Sequence, residues 1–265
     1  DTAALRVRTW VDSEEQPRAR KLVPVERYVI PDETNVKGSE GPNGRPWLNR
    51  LDDRITAGWA TDETVGFAWA SGLITPAPGR AAYPHPHVRV AIVPKAQLLS
   101  GPPTLPPGAV DEPHIWNSTV AMVYAAAAPN NEGTVGLSLY FGGKKHFPSA
   151  AIGVLRKQGG NWNATLTVLA TGKNSPRCKV SGGFDDECGA FGDYIHVRPQ
   201  LEDAKGWYVA VHSPQDKGDV KPKVEVTLGL YKLKGTVPSA AGPQSLPNRV
   251  GIKRPLVPGQ LQAGN

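Results

Sequence analysis

Proline and glycine fall so often along this chain that almost no window long enough for an α-helix escapes one: 265 residues hold 26 prolines and 29 glycines. Proline removes a backbone donor and glycine weakens a helix interior, so the periodicity that survives between the breaks is that of short strands. Runs rich in Val, Ile, Thr and aromatic residues predict strands over 5–10, 23–30, 54–60, 64–71, 88–93, 119–126, 134–141, 150–155, 163–170, 194–198, 207–212 and 224–233. The expected class is all-β.

These strands recur as a unit. A strand ending at Trp59 is followed by a turn at Asp62-Glu63, then by Thr64-Val65-Gly66-Phe67-Ala68-Trp69 and by Val88 to Val93. About seventy residues later Val120 to Tyr124, a turn at Asn130 to Gly133, Thr134-Val135-Gly136-Leu137-Ser138-Leu139 and Ala151 to Leu155 repeat the order. The shared Thr-Val-Gly sets the register. A looser third copy runs through Tyr194 to Arg198, Trp207 to Val211 and Val224 to Leu233. A sheet of this kind cannot bury its own faces, so copies must stack, and the expected architecture is β-propeller-like blades of four antiparallel strands.

Closed propellers have roughly four to eight blades. Three copies predict an incomplete propeller on this chain: a partial blade or strand-donating segment in 1–50, three blades in 51–236, and an extended Pro- and Gly-rich tail in 237–265. Two sheet flanks are then left open, for a second polypeptide or self-association to cover. Leu5, Val7, Trp10, Val23, Val25 and Ile30 supply at most one further apolar face.

The segment Gly192-Asp193-Tyr194-Ile195-His196-Val197-Arg198-Pro199, followed by Trp207-Tyr208-Val209-Ala210, resembles the Gly-Asp-Tyr opening of an inner strand in sialidase-like, BNR-type β-propellers. Val65 to Trp69 leading into Tyr83-Pro84-His85-Pro86-His87 resembles another blade of that group, and the likeness spans Arg54 to Leu233. It implies architecture. No Asp-box turn of the Ser-x-Asp-x-Gly-x-Thr-Trp form is intact, so no catalytic residue is carried over.

Charge and cysteine content narrow the setting. The formal net charge of +6 is spread along the chain, with Lys217, Lys221, Lys223, Lys232 and Lys234 as the one basic concentration, read as a solvated strand face. With no recognition helix, nucleic acid is not an expected partner. No apolar run nears the roughly 18–20 residues of a spanning helix, so no membrane span is expected. The two cysteines, Cys178 and Cys188, sit close enough to pin a loop as a disulfide, and no further Cys or His stands near them for zinc. Asn117-Ser118-Thr119 and Asn163-Ala164-Thr165 fit the N-glycosylation pattern. Together these features predict a secreted or extracellular glycoprotein.

Candidate sites are few. Asp185, Asp186, Glu187 and Asp193 crowd a glycine-containing loop that reads either as a Ca2+ site, since calcium takes roughly six to eight oxygens, or as a solvated acidic loop. His85 and His87 alternate, which strand geometry places on one face, but no third metal ligand is evident. Arg89, Arg198, His196 and Trp207 fall on predicted inner or second strands, where Arg can grip carboxylates and Trp can stack on a sugar, or pair and pack structurally. No nucleophile elbow, zinc-protease helix or phosphate loop is present. The expected function is a binding or assembly module for glycan or protein partners, against the alternative of a sialidase-like glycoside hydrolase completed by blades absent here.

Overall fold

The computed structural model describes residues 3–9, 19–75, 82–180, 183–185, 191–192, 194–215 and 223–233. It is all-β apart from one six-residue helix. Strands β1 (Ala4–Thr9) and β2 (Ala19–Pro24) pair antiparallel as a ribbon. Sheet one is a meander of β3 (Ile55–Ala60), β4 (Thr64–Ser71), β5 (His87–Pro94) and, beyond helix α1 (Lys95–Ser100), the short β6 (His114–Ile115). Sheet two is the meander β7 (Ala121–Pro129), β8 (Val135–Gly143), β9 (His146–Gln158) and β10 (Asn161–Ala170). A small hairpin of β11 (Cys178–Val180) and β12 (Gly183–Asp185) follows. Sheet three contains β13 (His196–Pro199), β14 (Gly206–Pro214) and β15 (Val224–Lys232). Four strands were expected there; the described residues form three.

The sheets stack in chain order, with two apolar cores between them. Period-two alternation sends Val88, Val90 and Ile92 of β5 toward sheet two, where they meet Met122, Leu137 and Leu139. Ile152 and Val154 of β9 face the other way and pack with Trp207, Val209 and Val211 of β14. Full burial of each such side chain stabilises by about 1.5–3 kcal/mol. Sheet two, covered on both faces, carries the longest buried runs.

The repeated Thr-Val-Gly has a packing reason. Gly66 lies directly opposite Trp59 across the β3–β4 ladder, and a Cβ there would stand 2.1 Å from the indole. Gly136, its counterpart in sheet two, gives way to Trp207 of sheet three, whose Nε1 donates to the Ala128 carbonyl at 2.9 Å. Each glycine is the floor of a tryptophan slot.

One of the two expected open flanks is covered. Val65, Phe67, Trp69, Ala91 and Val93, on the outer face of sheet one, pack with Leu5, Val7, Val23, Val25 and Tyr28 from the N-terminal segment. The strand expected at 23–30 instead ends at Pro24, and 25–30 crosses sheet one without strand pairing. Ile30 is exposed rather than part of this face, and Trp10 lies outside the described residues. The tail 237–265 also lies outside them.

Candidate functional site

A cleft of about 430 Å³ opens where the first strands of the three sheets converge, lined by Arg50, Asp52, Arg54, Tyr124, Phe191, Gly192, Tyr194 and His212. Arg50, Asp52 and Arg54 come from the segment leading into β3. Tyr124 comes from β7, while Phe191, Gly192 and Tyr194 precede β13 and His212 lies on β14. Each sheet thus contributes a wall.

Local backbone shape brings these side chains together. The β7–β8 register slips between Val123 and Ala126, and Tyr124 within the slip has φ 54°. Val123 and Tyr124 consequently fall in the same core although they are consecutive. Gly192, at φ 109°, lies against the Tyr124 ring so closely that a Cβ would come within 2.1 Å of it. Tyr194 is the second non-glycine residue with positive φ among the described residues, at 67°, and it is 84% exposed. A left-handed backbone at a bulky residue costs roughly 1–3 kcal/mol, and such positions gather at functional sites.

The cleft floor is held by aromatic contacts and hydrogen bonds. Phe191 packs edge-on to Trp47 at 5.9 Å and to Tyr140 at 4.7 Å, and lies 4.8 Å from the His212 ring. Above it, Arg54 Nε and Asp52 Oδ2 are 2.7 Å apart in an exposed ion pair. With Arg50 exposed beside them, the described lining carries two guanidinium groups and one carboxylate.

A second polar constellation is buried between sheet one and the N-terminal segment. Arg89, fully buried on β5, pairs with Glu112 at 2.8 Å and donates to the Arg27 and Glu26 carbonyls. Glu112 also accepts the Glu26 amide at 3.0 and 2.9 Å. His87 Nε2 and His114 Nδ1 are 3.1 Å apart, and the Tyr83 ring stacks on both imidazoles at 4.3 and 4.5 Å. Burial holds His87 well below the usual histidine range and His114 down at about 4. It also raises Glu112, against the pull of Arg89, and pushes Tyr83 up to about 12. This network ties 25–30 to the sheet and shares no residue with the described lining of the Arg50–Tyr194 cleft.

The four residues expected to bind ligand are not brought together. Arg89 is in the buried network and Trp207 is a core side chain. His196 and Arg198 border an apolar trough of about 410 Å³ on the outer face of sheet three, with Tyr208 and Leu228. Asp185 ends β12, while Asp186, Glu187 and Asp193 lie outside the described residues, as does Cys188 with its pairing to Cys178. Among the described residues no group of three His, Cys, Asp or Glu side chains is placed to hold a metal ion. The His85 ring meets Ser39 at 3.1 Å, while the His87 ring meets His114. Asn117 is buried, its Oδ1 accepting from Thr119 N and Oγ1 at 2.8 Å, whereas Asn163 is exposed on β10. No helix among the described residues is long and apolar enough to cross a membrane.

Sequence reasoning missed Arg50, Asp52, Arg54, Phe191 and His212 as one site. Phe191 and Tyr194, flanking the Gly-Asp pair, were the visible signal. No protein-family model, curated protein or solved structure matches the chain.

Proposed function

We propose that the chain is a non-catalytic, β-propeller-like binding module of sialidase-like architecture, whose ligand is an acidic carbohydrate held in the cleft at the first-strand ends. One observation carries this: three successive sheets converge on a cleft bearing Arg50, Arg54 and an exposed Tyr194 ring. The guanidinium groups suit a carboxylate, and the tyrosine ring suits the apolar face of a sugar. An extracellular setting, with the Cys178–Cys188 bridge closed, belongs to the same reading.

Binding is favoured over hydrolysis by the carboxylates. Glycoside hydrolysis generally runs on two, one as acid and one as base or nucleophile. Among the described lining residues Asp52 is the only carboxylate, and Arg54 neutralises it. The test is calorimetric titration with a uronic-acid oligosaccharide and its neutral counterpart. The acidic sugar should bind preferentially, and Arg50→Ala and Tyr194→Ala should each weaken it about tenfold without changing the melting temperature. Equal binding of both sugars, or of neither, would sink the proposal.

A further inference from the structure

Residues 25–30 form a strap across sheet one, and it is fastened at both ends. At one end the Glu26 amide donates to Glu112, and Arg89 donates to the Glu26 and Arg27 carbonyls. At the other, the Val29 amide donates to Ser71 Oγ at 3.2 Å and the Val29 carbonyl accepts the Gly72 amide at 2.8 Å. Between these ends the Tyr28 hydroxyl donates to Asp53 Oδ2 at 2.9 Å. Asp53 stands between Asp52 and Arg54, so the strap is bonded to the segment that walls the cleft.

Both ends also bear on the buried histidine pair. Glu26 Oε2 lies 3.5 Å from His114 Nε2, and Ser71, which holds Val29, is the register partner of His87. The charged and titratable groups described around the pair are Arg89 on β5, Glu112 ahead of β6, Glu26 in the strap and Tyr83 stacked on both rings. A proton added to either imidazole places a second cation beside fully buried Arg89, whose partner Glu112 is already engaged. Water reaches that cation most directly past Glu26, whose side chain is 42% exposed.

From this arrangement we propose that 25–30 is an acid-released latch on the cleft: protonation of the His87–His114 pair frees the strap, and loss of the Tyr28–Asp53 bond slackens the Arg50–Arg54 wall and releases an acidic ligand. The ligand rests on the function proposed above; the release of the strap does not. Burial holds both imidazoles below the ordinary 6.5 while the strap is closed, so protons favour the released form. Opening should therefore rise as pH falls below 6.5, by about tenfold per pH unit for each imidazole that charges on release. Glu112, raised by burial, opposes this at the acid end.

The test is amide exchange on the full chain from pH 7 to 5, corrected for the intrinsic pH dependence of exchange. Opening at the Glu26 and Gly72 amides should rise about tenfold or more per pH unit, while the amide of Leu137, inside sheet two, stays protected. The Leu51 amide, which donates to the Leu48 carbonyl beside the cleft, should open with them. His114→Asn should flatten the pH dependence. Tyr28→Phe should open Leu51 at pH 7 while Glu26 stays closed. Affinity for the uronic-acid oligosaccharide should fall about tenfold between pH 7 and 5 in wild type, and less in His114→Asn. Equal protection of Glu26 at both pH values would overturn the latch, as would opening in step with Leu137 or a Leu51 amide indifferent to the strap. Absence of sugar binding at either pH would defeat the proposed ligand, and the exchange data alone would then decide the latch.

Discussion

The Tyr140 hydroxyl accepts the His212 amide proton at 3.1 Å and lies 2.6 Å from Nδ1 of the same residue. The hydroxyl thus meets both the backbone and the ring of His212. One phenol on sheet two thereby anchors a cleft residue on sheet three. Tyr140→Phe should destabilise the chain by about 1–3 kcal/mol in urea unfolding, because a part-buried amide loses its acceptor. Binding of the acidic sugar should weaken further than this global loss explains. An unchanged urea midpoint would show that the hydroxyl is replaceable by water.

Gly136→Ala should be far more damaging than a glycine-to-alanine change on an open strand. Its Cβ would stand 2.5 Å from Trp207 Nε1, and that indole is pinned by the Ala128 carbonyl. Overpacking of this kind costs about 1–3 kcal/mol. Gly58→Ala, where the nearest atom to the new Cβ is a carbonyl oxygen at 3.9 Å, is the control expected to unfold close to wild type. Equal midpoints for the two variants would contradict the slot.

Arg89→Met should leave Glu112 buried beside an apolar side chain and lower stability by about 3–5 kcal/mol. The companion Arg89→Met/Glu112→Leu variant removes both charges and should recover a large part of that. Limited proteolysis near Arg27 reports the same event locally, since Arg89 holds the carbonyls of Glu26 and Arg27. If the double variant were no better than the single, the charge pair would not be the reason for the loss.

Acid should weaken the chain through the histidine pair. His114 has a folded value of about 4 against an ordinary 6.5, and His87 is shifted the same way. The unfolded chain therefore binds more protons between those limits, so stability declines as pH falls from about 6.5 toward 4. For His114 alone the difference is roughly 3 kcal/mol. Glu112 acts oppositely: its raised value means the folded chain takes up its proton first on acidification, which offsets part of the loss. Urea midpoints between pH 7 and 4 should fall for wild type and fall less steeply for His114→Asn. Parallel curves would remove His114 as a source of the acid sensitivity.

Where alternation is regular the strands were legible: 64–71 was expected and Thr64–Ser71 is found. Two-residue β6 and the three-residue β11 and β12 are too short to show a pattern, and α1 has a single buried side chain, Leu98. The segment 119–126 read as one unbroken strand because a register slip at Tyr124 leaves no mark on hydropathy. That slip is what turns Tyr124 into a cleft wall. Arg50, Asp52 and Arg54 precede a strand in an irregular segment, so no period links them to His212, more than 150 residues away. Arg89 and His87 were noticed as chemistry-bearing, but their partners Glu112 and His114 arrive only when β6 folds back onto β5.

Because each sheet is a meander of neighbouring segments, most hydrogen-bonded partners lie close in sequence, and little loop entropy opposes forming any one sheet. Opening should then be graded along the stack. Sheet two, clamped on both sides, should keep its amide protons longest, and sheet three, where Val226 and Leu228 of β15 are exposed, should exchange before it. The Trp207 slot joins those two regimes: it is where the slow-exchanging interior meets the part of the molecule that breathes.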